Sequence, residues 1–378
     1  MLFRSRMSAM ARKEILHILR DPRSLLAAIA QPLMMLLLFG YALSLDVDHV
    51  PTIVYDLDRT PQSRAMIDEF RGSGYFDIIE VANDYRPIEK GMDTRKAILG
   101  VVIPARYTDD FLSDKQADVQ LLLDGSDSNT AAIVLGYANG VVQSFAARAR
   151  LEAQIQHTGS AMRPIIDARP RVMFNTDLVS RNFIVPGLIA VIIMIIAALL
   201  TSLTIAREWE NGTMEQLLST PVRPIEMAFG KLTAYFLLGF LDMAIALVVG
   251  IYVFEVPFKG SPVLLLFSCT VFLVGALGWG IMISAGSRNQ LSAYQLSTFT
   301  SFLPAFLLSG FIYSIQNMPY VIQGISLLVP ARYFINIVKG VFLKGVGIEV
   351  LWFDLLLLIL YAIFVLRWAT KRLRQRVA

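Results

Sequence analysis

The chain has 378 residues, of which 55% are hydrophobic and only 17% charged, with a formal net charge of +4. Soluble domains carry about 25% charged residues, so this composition excludes an ordinary soluble enzyme and describes an integral membrane protein. The single cysteine, Cys269, excludes an internal disulfide and, lying in an apolar run, reads as a small core residue.

Residues 1–23 carry Arg4, Arg6, Arg12, Lys13, Arg20 and Arg23 against Glu14 and Asp21, interleaved with Met7, Met10, Ile15, Leu16, Ile18 and Leu19. That pattern predicts an amphipathic helix on the cytoplasmic leaflet, with contact to a partner's surface as a second use. Residues 24–45 are uncharged and long enough to span, with a kink expected at Gln31-Pro32. Ala42-Leu43-Ser44 mimics a signal-peptidase site, but the apolar run is too long for a leader. It is therefore read as a retained first span, and the basic residues before it set a cytoplasmic N-terminus.

From 46 to 181 the composition becomes that of a soluble α/β domain. Thr52–Asp56, Phe76–Val81, Gly100–Pro104 and Val119–Leu123 read as strands, and a helix starts at Thr60-Pro61 and runs to about Phe70. Asp124-Gly125-Ser126-Asp127-Ser128-Asn129 offers oxygen ligands but lacks the full spacing and terminal Glu of a calcium loop. A turn leading into a long helix, Thr130–Gln156, is the better reading. No nucleophile–base pair or metal cluster stands out.

Five further spans follow, at 183–205, 232–254, 260–287, 291–313 and 350–366. Between the last two, residues 314–345 hold a short apolar piece, Pro319–Leu328. It is too short to cross, so it is read as re-entrant or interfacial on the outer side. Trp352 is placed to anchor the sixth span. Arg367, Lys371, Arg372, Arg374 and Arg376 give a cytoplasmic C-terminus. Six spans with both termini inside require the 46–181 domain to be extracytoplasmic.

The loop at 206–221, between the second and third spans, is unusual. Glu208, Glu210 and Glu215 make it acidic, while Met214, Leu217 and Leu218 form an apolar stripe at helical spacing. Thr213 is a candidate cap, and Pro221 a stop. An interfacial loop on anionic lipid is the plain alternative, but acidic residues are repelled there. A docking element for a soluble partner accounts better for the charge.

Asp242 lies about ten residues into its span, near mid-membrane, where a carboxylate costs several kcal/mol unless partnered. It is either a functional group of the span or satisfied by an interhelical hydrogen bond, with Gln295, Thr298 and Ser301 as candidate partners. Thr298, Ser301 and Ala305, with Gln295 close by, form a small-polar stripe of the kind that marks helix–helix contact. Phe299, Phe302 and Phe306 line either an apolar path or the lipid. Gly230-Lys231 resembles the tail of a phosphate loop. However, Ile225 stands where the earlier glycine is needed and Leu232 where Ser or Thr is needed. Lys231 is therefore read as a positive-inside anchor, and any ATPase must be another polypeptide.

The run Arg207-Glu208-Trp209-Glu210-Asn211-Gly212-Thr213-Met214-Glu215-Gln216-Leu217 to Pro221 resembles the coupling helix of ABC-2 type permeases. A second patch agrees with it: Leu308-Ser309-Gly310-Phe311, Asn317-Met318-Pro319, Pro330-Ala331-Arg332-Tyr333-Phe334 and Lys339-Gly340-Val341-Phe342-Leu343-Lys344-Gly345. With the large domain after the first span, the whole chain resembles the membrane subunit of a bacterial multidrug-type ABC exporter.

The resemblance implies a mainly α-helical membrane protein of six transmembrane helices with the α/β domain inserted after the first. It implies a bacterial inner-membrane permease dimer, identical or paired with a homologue, on two ATPase subunits. ATP and magnesium would bind those partners, with no cofactor on this chain. Glu208, Glu210, Gly212, Thr213, Met214, Glu215, Leu217 and Leu218 would couple to the ATPase. Asp242, Gln295, Thr298, Phe299 and Phe302 would border the substrate path. A periplasmic adaptor is a further expected partner; nucleic acid is not. Export of a lipid or glycolipid is the alternative within the class. A membrane sensor or enzyme is the alternative outside it, but the spans offer only one acid and the termini no output domain.

Overall fold

The computed structural model describes residues 2–43, 47, 49–113, 117–158 and 179–377. It divides into two units, Leu45–Arg171 and Met1–Ser44 with Val172–Ala378. Of the expected 46–181 domain, residues 159–178 lie outside the described part.

The smaller unit is α/β. Strands β1 (Val50–Asp56), β2 (Phe76–Ala82), β3 (Leu99–Ile103) and β4 (Gln120–Leu123) form one sheet in the order β2-β1-β3-β4. β1 pairs parallel with β2 and β3, and β4 runs antiparallel to β3. The two-residue period of a strand sends Val50, Val54, Val101 and Ile103 to one face. There they meet Met66, Ile67 and Phe70 of helix α3 (Pro61–Gly72) and Val134, Ala138 and Val141 of helix α6 (Ser128–Thr158). Ile53 and Val102 face the other way, onto Ile88 of α4 (Arg86–Asp93). A short α5 (Tyr107–Leu112) completes the unit.

Thr60 caps α3 in a reciprocal capping box with Ser63, with Pro61 in the first turn. At the acidic turn Asp124 accepts from Ser126 N at 3.0 Å and Asp127 from the Thr130 hydroxyl at 2.6 Å. Those side chains are spent on the turn and the start of α6, as the sequence suggested.

The larger unit is helical: α1 (Leu2–Arg20), α2 (Pro22–Ala42), α7 (Ser180–Glu210), α8 (Thr213–Leu218), α9 (Pro224–Tyr252), α10 (Pro262–Gly286), α11 (Gln290–Ser297), α12 (Leu303–Leu307), α13 (Tyr320–Ser326), α14 (Pro330–Lys339) and α15 (Ile348–Val377). At its centre is α7, buried without a break from Ile184 to Ala198. A helix apolar on every side is stable only when surrounded, and α2, α9, α10 and α14 all pack against this one.

Among the described residues five helices are long and apolar enough to cross a membrane, or six if one bent pair counts as a span. Four match expected spans: α7, α9, α10 and α15. The fifth is Thr130–Ala149 of α6, whose apolar side is explained by the sheet it covers. Two expected spans differ. The first, 24–45, is α2, which runs through Pro32 with an apolar part, Ala28–Ala42, shorter than a full crossing; Ser44 and Leu45 lie outside the described residues. The fifth, 291–313, is interrupted: a π-turn at Thr298–Phe302 separates α11 from α12, which ends at Leu307. Pro304 has no N–H for a regular helix, and a one-residue bulge before it absorbs the mismatch.

Within residues 314–345, Tyr320–Ser326 and Pro330–Lys344 form the bent pair, α13 against α14 and its π-turned end, at 83°. Arg332 donates to the Ser326 hydroxyl at 2.6 Å and Tyr333 OH to Leu327 O at 2.7 Å, so the Ala-Arg-Tyr motif ties this corner. Phe334 stacks on Phe272 of α10 at 4.1 Å.

Candidate functional site

The last turn of α7 carries Arg207 and Glu208, and Asn211 and Gly212 then lead into α8. Gly212 has φ +70, a left-handed conformation that costs other residues about 1–2 kcal/mol. It takes the N-cap position of α8, whereas the sequence assigned the cap to Thr213. Thr213 instead begins α8 and donates from its hydroxyl to Glu208 O at 3.3 Å.

The apolar stripe of this segment divides. Met214 is 1% exposed and belongs to the bundle core, and Leu217 packs against that core. Only Leu218, at 37%, remains as an apolar group at the surface. Glu215 and Gln216 are exposed beside it. Glu210 is also exposed and accepts from Gln290 N at 2.7 Å, where α11 begins. Met214 and Leu217 thus hold the corner to the protein, a role that the helical spacing alone did not distinguish from docking area.

Glu208 turns inward. Its Oε1 accepts from Lys231 of α9 at 2.8 Å and from Lys13 of α1 at 3.0 Å, while Lys231 also reaches Glu14 Oε1 at 2.7 Å. Lys231 is 1% exposed, so it is the hub of a buried ion cluster and not a surface anchor. Desolvating such charges is costly, and the cluster holds because each cation meets carboxylate at hydrogen-bonding distance. Gly230, beside it, lets α1 come close: an added Cβ would lie 2.6 Å from Met10 Cβ and 3.1 Å from Met7 O. Arg6 donates to Pro221 O at 2.6 Å, so α1 also clasps the end of the acidic segment. The amphipathic pattern found α1 but not its protein-facing side; the one signal was Glu14, an acid inside a basic run.

Asp242 is 7% exposed on α9 and faces Pro32, Ile192, Ile196 and Leu273. Neither carboxylate oxygen has a partner among the described residues. The polar groups considered for it lie elsewhere: Gln295 is exposed, and the Thr298 hydroxyl donates to Tyr294 O at 2.9 Å. Ser301 is buried, but its hydroxyl has no partner either. Phe299 is 63% exposed, and the Phe302 ring lies tilted against Phe306 with centroids 5.2 Å apart.

The buried stripe of this segment is Ala293, Ser297, Ser301, Ala305 and Ser309. Its four-residue spacing keeps Ser301 and Ala305 of the expected stripe and leaves Thr298 and Gln295 out. The structure therefore gathers Arg207, Glu208, Lys231 and Glu14 at one place, but it does not gather the residues considered for a path around Asp242.

The chain matches, over residues 23–370, a family described as "ABC-2 family transporter protein". It is 36% identical to the Escherichia coli (strain K12) protein named "Probable multidrug ABC transporter permease YbhS", covering 98% of this chain and 97% of that one. To "Probable multidrug ABC transporter permease YbhR" of the same organism it is 30% identical over 92% of both chains. To "ABC transporter G family member 20" of Dictyostelium discoideum it is 25% identical over 97% of this chain and 50% of the relative. With its apolar helices and its match along nearly the whole length, the chain is a multi-pass membrane permease belonging to the ABC-2 family of transporter proteins.

Proposed function

We propose that this permease is the membrane subunit of an ATP-driven exporter of hydrophobic or amphipathic compounds, powered by a separate ATPase through the 206–221 corner. The observation that carries the reading is the left-handed turn at Gly212 between α7 and α8. Beyond it Glu215, Gln216 and Leu218 face outward on a short helix whose other side, Met214, is sunk in the core, and Glu210 is exposed at the end of α7. A rigid, acidic projection from the central helix of the bundle is what a basic groove on an ATPase would need to push against. The Arg6 and Lys13 contacts of α1 stiffen its base.

In this reading two permeases, identical or homologous, sit on two ATPase subunits in a bacterial inner membrane, with both termini cytoplasmic and the sheet-containing unit outside. That unit is a docking or gating module, with a periplasmic adaptor as its expected partner. The names of the similar E. coli proteins support drug-like cargo. ATP and magnesium belong to the partner chain. The test is reconstitution in vesicles: purified permease alone is expected to hydrolyse no ATP, and addition of the cognate ATPase should give ATP-dependent movement of an amphipathic dye. Hydrolysis by the permease alone, or dye movement without any ATPase, would overturn the reading.

A further inference from the structure

One face of α15 is a stripe with two halves. Phe353, Leu356, Leu360 and Phe364 recur at helical spacing and are exposed, and the exposed Arg367, Lys371 and Arg374 continue the same face beyond them. Trp352 and Trp368 stand about 24 Å apart along the helix axis, a separation of the order of a hydrocarbon core. Both are exposed, as aromatic residues are at the two interfaces of a bilayer. Phe364 lies against Trp368 with ring centroids 5.5 Å apart. The apolar half therefore faces acyl chains, and the basic half begins at the level of the head groups.

That basic half is one wall of a groove of about 620 Å³, and the start of α9 is the other, with Arg223 and the exposed Ile225. Two helices thus bring four cations to one opening that no acidic side chain lines. Among the described residues none of the four takes part in an ion pair. The acid nearest in sequence, Glu226, is buried, accepts from Arg223 N at 2.8 Å and faces Arg6 at 4.0 Å. Cations gathered without a counter-ion repel one another, and an anion placed between them removes that repulsion. A zwitterionic head group would bring its own cation to walls that hold nothing to receive it. A small soluble anion would leave Ile225 and the apolar stripe uncovered.

We infer that this groove binds the phosphodiester head of an anionic phospholipid. Arg223 takes the head from one side and Arg367, Lys371 and Arg374 from the other, while an acyl chain lies along Leu360 and Phe364. The bound lipid ties the end of α15 to the start of α9, just past Pro221 and so beside the 206–221 corner. This assignment rests on α9 and α15 as membrane spans and not on the exporter reading.

The test is tryptophan fluorescence of the full-length permease in phosphatidylcholine nanodiscs, titrated with dibrominated phosphatidylglycerol and with no ATPase present. Bromine quenches an indole on contact, and Trp368 stands beside the groove. Half-maximal quenching should come at a mole fraction about tenfold lower, or less, than with dibrominated phosphatidylcholine, and Trp368→Phe should remove the part specific to phosphatidylglycerol. Each basic residue near an anionic surface is worth about a factor of five in binding. Lys371→Gln with Arg374→Gln should therefore weaken phosphatidylglycerol about tenfold or more. Ile225→Glu keeps all four cations, and a helix start accommodates an acid, so this variant should melt as wild type does and still bind about tenfold more weakly. Arg4→Gln with Arg12→Gln removes the same charge from exposed positions of α1 and should leave the quenching unchanged. Equal quenching by the two lipids, a specific signal that persists in W368F, or unchanged binding in K371Q/R374Q or in I225E would overturn the proposal. So would an equal loss on removing the α1 charges, which would reveal a diffuse field in place of a site. Displacement of the brominated lipid by added ATPase would assign the groove to a protein interface and overturn it as well.

Discussion

Lys231 of α9 and Glu14 of α1 form an ion pair 2.7 Å long, with side chains 1% and 6% exposed. The same ammonium reaches Glu208 of α7, so one buried cation fastens three helices. Removing one member of a buried pair leaves an uncompensated charge and costs about 3–5 kcal/mol. Lys231→Met should therefore lower the melting temperature of the detergent-solubilised permease, because Glu14 and Glu208 then lie close without their shared cation. Adding Glu14→Gln should restore part of the loss, since Lys13 still serves Glu208. Equal melting of K231M and wild type would show that the cluster contributes nothing to stability.

Gly230 sets how closely α1 can lie on α9. A Cβ there would meet Met10 Cβ at 2.6 Å and Met7 O at 3.1 Å, and backbone cannot swing aside as a side-chain tip can. Overpacking of this kind costs about 1–3 kcal/mol. Gly230→Val should loosen α1 and leave the rest of the bundle folded. Limited trypsin cleavage after Arg12 should be faster in the variant, with the fragment beginning beyond it still intact. Unchanged cleavage would mean that α1 is not held at this crossing.

The strands, the long helices and the acidic corner were legible in the sequence because each rests on local pattern. Short strand-like runs marked Val54 and Val101, a Thr-Pro start marked α3, and long apolar runs marked α7, α9 and α10. What was not legible depends on which element packs against which. Met214 and Leu217 have the same spacing whether they meet a partner or their own core. Lys231 before an apolar run looks like an interfacial anchor until α1 brings Glu14 to it. The π-turn before Pro304 shifts the buried positions to Ser297, Ser301 and Ala305. A fixed helical period across that point selects Thr298 instead.

The proposed orientation is checked by labelling. Asp77 is exposed on β2 and Gln375 is exposed near the end of α15, whereas the native Cys269 is buried and should stay silent. With both termini cytoplasmic, Asp77→Cys should react with an impermeant maleimide in intact spheroplasts and Gln375→Cys only after lysis. The reverse pattern would invert the topology and remove the corner from the side where ATP is found.

The corner itself is tested through Glu215 and Gly212. Glu215 is exposed on α8, directly after the core-bound Met214 and one turn before Leu218. Glu210 is a poorer probe, because it also accepts from Gln290 N, and Glu208 poorer still, because it belongs to the buried ion cluster. A charge fully desolvated by a partner costs about 2–5 kcal/mol when reversed or lost, whereas a rim charge changes little. If Glu215 fits a basic groove, Glu215→Arg should leave the melting temperature of the permease unchanged and reduce co-purification of the ATPase at least about tenfold, since each 1.4 kcal/mol is a factor of ten. Gly212→Leu should act differently. Its left-handed backbone strains any side chain by about 1–2 kcal/mol, so α8 should tilt, ATPase association should weaken moderately, and stimulated hydrolysis should fall further than binding does. Normal ATPase recovery and normal hydrolysis in both variants would make 206–221 an ordinary connecting loop, and the coupling assignment would fall with it.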